Sequence, residues 1–192
     1  MTTCAKAPQS SDVIALLYLK KAYEYAAKHS TDPSTQNGAV IVSKVIVGQR
    51  TAPDNVYIQQ EIPTYVEIGI GANHFPEGVE EKLERWERPA KYQWVEHAER
   101  NAIYDAARKG QSTLGATMYV PWFACADCGR GIIQAGIKEV VGHDSPLHKT
   151  NANWKQSIEV ADQMFREAGI KFRRIEGHFG VKIRFNGQEV EV

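Results

Sequence analysis

Cysteine is scarce in this chain, with 3 among 192 residues. Cys4 stands alone in a polar N-terminal stretch, while Cys125 and Cys128 lie three positions apart. That excludes the disulfide framework of a small secreted domain, and free thiols point to a reducing, cytoplasmic setting. Long apolar runs are lacking too. Val13–Leu19 stops at Lys20-Lys21, far short of the ~20 residues of a membrane span, and Met1–Ser10 does not read as a secretion signal. Neither charge dominates: 23 Lys+Arg balance 23 Asp+Glu at a pI near 7.0. Binding to long nucleic acids rests on phosphate neutralisation, so no such partner is expected, nor any membrane contact. Repeats and low-complexity tracts are absent.

The remaining composition, 43% hydrophobic and 24% charged, is that of a globular protein long enough for a substantial core. Ser11 is placed to cap a helix reaching about Lys28, whose apolar stripe includes Val13, Leu16, Leu17, Tyr23 and Ala27. Gly38–Ser43 reads as a strand buried on both faces. Val45–Val47 and Val56–Ile58 read as short strands of an extended hairpin, and Tyr65–Gly71 as a further strand. Glu77–Arg88 reads as an exposed loop or helical excursion. From residue 97 helices and strands alternate: a helix from His97 to Lys109, a strand at Ala116–Val120, a helix from about Cys125 to Ala135, a strand at Lys138–Gly142, a helix at Trp154–Ala168 and a strand at Ile170–Ile175. Gly110, Gly136 and Gly169 mark the three helix ends. This order predicts an α/β layered fold. Val181–Val192, with Asn186-Gly187 at its centre, predicts a hairpin in which Lys182 faces Glu191, Ile183 faces Val190 and Arg184 faces Glu189. One domain spans 1–192, with a core over about 11–175 and the hairpin at 181–192.

The chemistry concentrates in His97-Ala98-Glu99 and Cys125-Ala126-Asp127-Cys128. A structural zinc site closes its tetrahedron with four Cys or His ligands, whereas a catalytic one leaves a position for water. His97, Cys125 and Cys128 supply three ligands, and Glu99 supplies an acid beside them. Cys125 and Cys128 at i and i+3 share one face of a helix start, where the dipole favours thiolates. A lone Cys-x-x-Cys is equally a redox pair or zinc knuckle, and a lone helical histidine an ordinary side chain. Their joint occurrence at two helix starts across a strand is specific for metal-activated water, with Glu99 moving its proton.

His-x-Glu followed by Cys-x-x-Cys resembles the H-x-E…P-C-x-x-C signature of zinc nucleobase deaminases. The resemblance extends further. Asp32-Pro-Ser-Thr-Gln-Asn-Gly-Ala-Val40, Ile68-Gly-Ile-Gly-Ala-Asn73, His97-Ala-Glu-Arg-Asn-Ala-Ile103, Gly115–Val120 and Ile132–Lys138 look like successive blocks of deoxycytidylate (dCMP) deaminases. The resemblance implies a cytidine-deaminase-like three-layer α/β/α fold around a five-stranded mixed sheet. It implies a zinc cofactor, attack of zinc hydroxide on C4 of a pyrimidine, and protonation of N3 by Glu99. It further implies that Asn73 contacts the sugar, that the backbone at Ala98 frames the base, and that Trp122 and Phe123 are candidate pocket walls. For a phosphate, Arg108 is a candidate: it lies about 20° off the His97 face but some 16 Å along the helix, so a neighbouring subunit's site is equally open. Lys91 and Tyr92 are further candidates. Family members commonly form dimers, tetramers or hexamers, which implies a homo-oligomer.

Three departures stand out. Ala124 replaces the usual proline before the first cysteine. Ala72-Asn73-His74-Phe75-Pro76 replaces a Tyr-Asn-Gly-x-Pro block, and the Lys44–Tyr65 connection is long. A second, structural zinc is not expected because no cysteine lies between Cys4 and Cys125, and His74, His143 and His148 read as surface or loop residues. The expected activity is dCMP to dUMP plus ammonia. The alternatives are deamination of a nucleoside, free base or modified base, tRNA adenosine deamination, which the neutral charge disfavours, and a catalytically silent zinc-binding module.

Overall fold

The apolar run beginning at Gly38 continues as one long strand, β1 (Gly38–Thr51), which pairs antiparallel with β2 (Ile58–Ala72) from Gly38↔Ala72 to Thr51↔Ile58. In this computed structural model residues 10–51, 58–145, 147 and 154–192 are described. The ladder of the expected hairpin is present up to Thr51↔Ile58, while residues 52–57, which include most of Thr51–Asn55 together with Val56 and Tyr57, lie outside the described residues. The register shifts between Ile41 and Val42, where β2 carries Ile68 as an extra residue. Such a bulge switches which side chains face the core, so no single period-two pattern spans it. Past Ser43 the ladder leaves the core: Val45 and Ile46 are 43% and 51% exposed.

The five-stranded sheet has the order β2-β1-β3-β4-β5, completed by β3 (Thr117–Tyr119), β4 (Glu139–His143) and β5 (Lys171–Ile175). β1 is antiparallel to both neighbours, and β3, β4 and β5 run parallel. Alternation along the strands divides the apolar residues between two layers. Val40, Val42, Tyr119 and Val141 pack beneath α1 (Ser10–His29), against Ala15, Leu19 and Tyr23. Ser11 lies inside that helix. On the other face, Ala39, Ile41, Met118 and Val140 pack against Ala98, Ala102, Ile132 and Phe165. These side chains belong to α3 (Ala98–Arg108), α4 (Ala126–Gln134) and α5 (Lys155–Glu167), and burying each large one contributes roughly 1.5–3 kcal/mol. The fold is α/β with a mixed sheet between helical layers, as expected. A 3-10 turn at Leu83–Trp86 lies within the largely exposed Glu77–Arg88 stretch, and the short α2 (Lys91–Trp94) follows it.

Small residues bring α3 against the sheet. A Cβ on Gly71 would lie 2.4 Å from the Ala102 nitrogen and 2.5 Å from the Ala98 oxygen, and one on Gly69 would lie 2.4 Å from the Ala102 oxygen. Backbone touches backbone along the Ala98–Ala102–Ala106 stripe, which sets where the helix begins. Gly110 and Gly136, at φ +65° and +72°, end α3 and α4 in the left-handed region.

The C-terminal hairpin, β6 (Lys182–Phe185) and β7 (Gln188–Glu191), has the expected register, with Asn186 and Gly187 both at positive φ. Its charges pair differently from the facing arrangement: Lys182 reaches diagonally to Glu189 at 3.2 Å, and Glu191 meets His178 at 3.3 Å. The hairpin docks on the domain rather than joining the main sheet, burying Ile183, Phe185 and Val192. His143 departs from expectation. It is 4% exposed and lies in the core, where Nδ1 is 2.7 Å from the Tyr23 hydroxyl. The last residue of an inner strand, it faces the α1 layer, which its position after Gly142 does not reveal. Cys4 and His148 lie outside the described residues.

Candidate active site

Two helices begin at the same point. His97 is the N-cap of α3 and Cys125 the N-cap of α4, both with extended backbone, and neither side chain caps its own helix. Ser, Thr, Asp or Asn at these positions is typically worth about 1 kcal/mol. Here the imidazole and thiol face each other instead. His97 Nδ1 is 3.5 Å from Cys125 Sγ and 3.5 Å from Cys128 Sγ, and the three ligand atoms lie within 4.8 Å of one another. A tetrahedral zinc with nitrogen at about 2.0 Å and sulfur at about 2.3 Å separates such atoms by about 3.6 Å, so the donor set fits the metal. Both cysteines are unbridged and buried. Glu99, in the first turn of α3, is 2% exposed, and its Oε2 has no hydrogen-bond partner among the described residues.

The helix starts are capped from elsewhere. Asn73, at the end of β2, accepts the Ala98 N–H on Oδ1 at 2.9 Å, and Ser157 Oγ of α5 accepts the Ala126 N–H at 2.9 Å. These neighbours satisfy the first amide of each helix while leaving its N-cap side chain to face the site.

The local electrostatics follow from close packing of ionisable groups. The hydrogen bond with Cys128 holds the Cys125 thiol down at about 4 against the opposing effect of burial, aided by His97. The same bond, with burial, pushes the Cys128 thiol well above its ordinary range. Metal binding takes both as thiolates, releasing the shared proton. Burial works to lower His97, but the hydrogen bond to Cys125 and the charge of Glu99 outweigh it and raise the imidazole. Burial also raises Glu99, with His97 opposing. Arg100, ion-paired with Glu96, places Nη1 3.5 Å from Cys128 Sγ.

A pocket opens over His97 and Glu99, lined also by Asn73, Trp122 and Phe123. Trp122 stacks on Phe185 of the C-terminal hairpin at 4.4 Å between ring centres. Phe123 lies under the Arg174 guanidinium at 3.7 Å. Ala98 is fully buried and does not line the pocket, and its N–H is engaged by Asn73. Arg108 lies elsewhere. It is largely exposed, ion-paired with Glu77, and borders a separate groove beside Tyr25 and Tyr104, because α3 carries it away from the His97 end. Lys91 borders the pocket but is buried, donating to both Asp32 oxygens at 2.7 and 2.8 Å and to Ser34 Oγ at 2.7 Å. Asn37, Arg88, Trp154 and Phe185 also line the pocket and were not anticipated. Asn37 sits within a family-like block, whereas the other three carry no local signal.

A buried carboxylate beside three zinc-type ligands, at the floor of an open pocket, defines a metal-dependent hydrolase site. The model of the cytidine and deoxycytidylate deaminase zinc-binding region matches residues 14–143, and the chain belongs to that family. It is 34% identical over 155 residues to the deoxycytidylate deaminase of Mus musculus, covering 78% of this chain and 72% of that protein. The deoxycytidylate deaminase of Homo sapiens is 33% identical over the same span, with the same coverage. In three dimensions the fold resembles the crystal structure of dCMP deaminase from cyanophage S-TIM5 in complex with dCMP and dUMP, with a TM-score of 0.58 at 21% identity, covering 88% of this chain and all of that one. The chain is a hydrolytic deaminase with zinc as its cofactor. Among the described residues no helix is long and apolar enough to cross a membrane.

Proposed function

We propose that this enzyme converts dCMP and water to dUMP and ammonia. The observation that carries the reading is Glu99 Oε2, buried and unpartnered beside His97, Cys125 and Cys128. The relatives named deoxycytidylate deaminase support the choice of substrate. His97, Cys125 and Cys128 would hold zinc, which when bound acidifies water to a pKa near 7. Glu99 takes a proton from the attacking water and delivers it to N3 of the pyrimidine as oxygen adds at C4. It then passes the hydroxyl proton to the exocyclic nitrogen, which leaves as ammonia while the C4 carbonyl forms. A carboxyl raised by burial suits both halves of this transfer.

Trp122 and Phe123 provide flat apolar surface for the base. Exposed Arg88 at the pocket lining is the cation placed to meet a 5′-phosphate, since Lys91 is committed to Asp32 and Arg108 lies elsewhere. Exposed Val45, Ile46 and Val66 on the β1–β2 arm support assembly with further copies of the chain. Unbridged Cys125 and Cys128 agree with a cytoplasmic setting. The test is ammonia release and the ultraviolet change from zinc-loaded protein given dCMP, deoxycytidine or cytosine. The expected result is turnover of dCMP well above the other two. Turnover of an unphosphorylated substrate with none of dCMP would overturn the assignment.

A further inference from the structure

We propose that Asn37 reads the sugar of the substrate, its side-chain oxygen accepting a hydrogen bond from the 3′-hydroxyl of the deoxyribose. The inference rests on the nucleotide reading above and deepens it. Asn37 lines the pocket that holds His97 and Glu99 and is only 6% exposed, yet its Oδ1 has no hydrogen-bond partner among the described residues. A buried acceptor left unmade is expensive, and a packed interior rarely retains one without a reason.

The backbone around Asn37 is held on every side. Its carbonyl accepts the Asn73 N–H at 3.1 Å. Just ahead of it, Gln36 N–H donates to Arg184 O at 2.9 Å, and the Asp32 carboxylate accepts the Ser34 and Thr35 amides at 2.8 and 3.1 Å. Just after it, Gly38 presses on α1, where a Cβ would lie 2.1 Å from the Ala22 oxygen. The acceptor is thus presented by a fixed frame rather than by a loose loop.

Asn73 is differently committed. Its Oδ1 accepts from Ala98, and its Nδ2 donates to Thr35 O at 3.1 Å. One N–H of Nδ2 remains beyond that bond, so Asn73 can donate to a hydroxyl oxygen. Asn37 Oδ1 is the acceptor able to take the hydroxyl proton.

The donor inventory of the substrate points the same way. Cytosine carries hydrogen-bond donors only on its exocyclic amine, the group that must face Glu99 and the metal ligands to react. O2 accepts, and C5–H and C6–H offer no strong donor. The phosphate is an acceptor when ionised. The 3′-hydroxyl is therefore the one remaining donor of dCMP for a neutral carboxamide oxygen.

The test measures binding of dUMP and of 2′,3′-dideoxy-UMP to zinc-loaded wild type, Asn37→Leu and Asn37→Ala by calorimetry. The kinetics of dCMP and dideoxy-CMP are measured alongside. Wild type is expected to favour the hydroxyl-bearing nucleotide by roughly 10- to 100-fold. Both variants are expected to reduce that preference to within about threefold, through KM more than kcat, while zinc content stays unchanged. Absence of the preference in wild type, or its survival in both variants, would overturn the role of Asn37. Failure of wild type to deaminate dCMP at all would instead overturn the substrate assignment on which it rests.

Discussion

Asn73 Oδ1 accepts the backbone N–H of Ala98 at 2.9 Å, so the residue just after β2 caps the helix that His97 and Glu99 open. The bond joins β2 to α3 where the backbones already touch at Gly71. Replacing Asn73 with Ala is expected to lower stability by about 1 kcal/mol and to reduce kcat/KM as the α3 start shifts. Asn73→Asp keeps the acceptor for Ala98 and adds a charge favourable to a helix N-terminus but loses the donation to Thr35 O, so it should lose less stability than Asn73→Ala without matching wild type. Urea unfolding of the three proteins checks this. Equal loss in both variants would show that the bond to Ala98 is not what matters.

Lys91 and Asp32 form a buried ion pair, at 7% and 2% exposure, beneath the loop that supplies Thr35 and Asn37 to the pocket. Removing one partner leaves the other charge uncompensated. Lys91→Met or Asp32→Asn alone is therefore expected to cost about 3–5 kcal/mol. The double variant should cost less than the sum of the singles, since it leaves no buried charge. Additive losses by chemical denaturation would contradict the pairing.

What the sequence made legible was the chemistry-bearing half of the site and the periodic elements. His97, Cys125 and Cys128 announce themselves by residue type and spacing, and the later helices and strands by apolar period. The Asn186-Gly187 turn specified a register found residue for residue. What stayed hidden depends on contacts between distant segments. Phe185 reaches the pocket because the hairpin bonds to the loop around Gln36, a meeting across 148 positions in sequence. Lys91 looked like a free cation until Asp32, 59 positions away, was seen beside it. Arg108, by contrast, borders another groove of its own chain, as its axial offset along α3 already implied. The long β1–β2 ladder read as separate pieces because past Ser43 it leaves the core and carries exposed polar residues such as Lys44 and Thr64, so no buried face marks it.

His143 offers a pH prediction. Its Nε2 bonds to Gly177 O at 3.1 Å, and Nδ1 lies 2.7 Å from the Tyr23 hydroxyl. A carbonyl can only accept, so Nε2 carries the proton and Nδ1 accepts from Tyr23. Burial lowers His143 below its ordinary value, against the opposing pull of the Gly177 bond and Asp144. The unfolded chain therefore takes up a proton near pH 6.5 that the folded chain still refuses. This contribution to stability is complete above pH 6.5 and declines as pH falls toward the lower folded value. Unfolding free energies from pH 7.5 to 5.5 should fall less steeply in His143→Asn than in wild type. Identical slopes would count against the assignment.

Glu99 separates metal binding from proton transfer. Its carboxylate is 2% exposed and supplies none of the three clustered ligand atoms, so Glu99→Gln should retain His97, Cys125 and Cys128 as a metal site. The amide preserves volume but cannot take a proton from water. Zinc content by mass spectrometry is therefore expected to match wild type, while kcat falls by about 10²–10⁴-fold. Because Oε2 has no partner among the described residues, the neutral amide removes a buried charge that no hydrogen bond from them compensates at that atom. Thermal stability should accordingly hold or rise, and this distinguishes a chemical defect from misfolding. Full activity in Glu99→Gln would exclude the residue as proton carrier, and loss of zinc together with activity would show that it serves the metal instead.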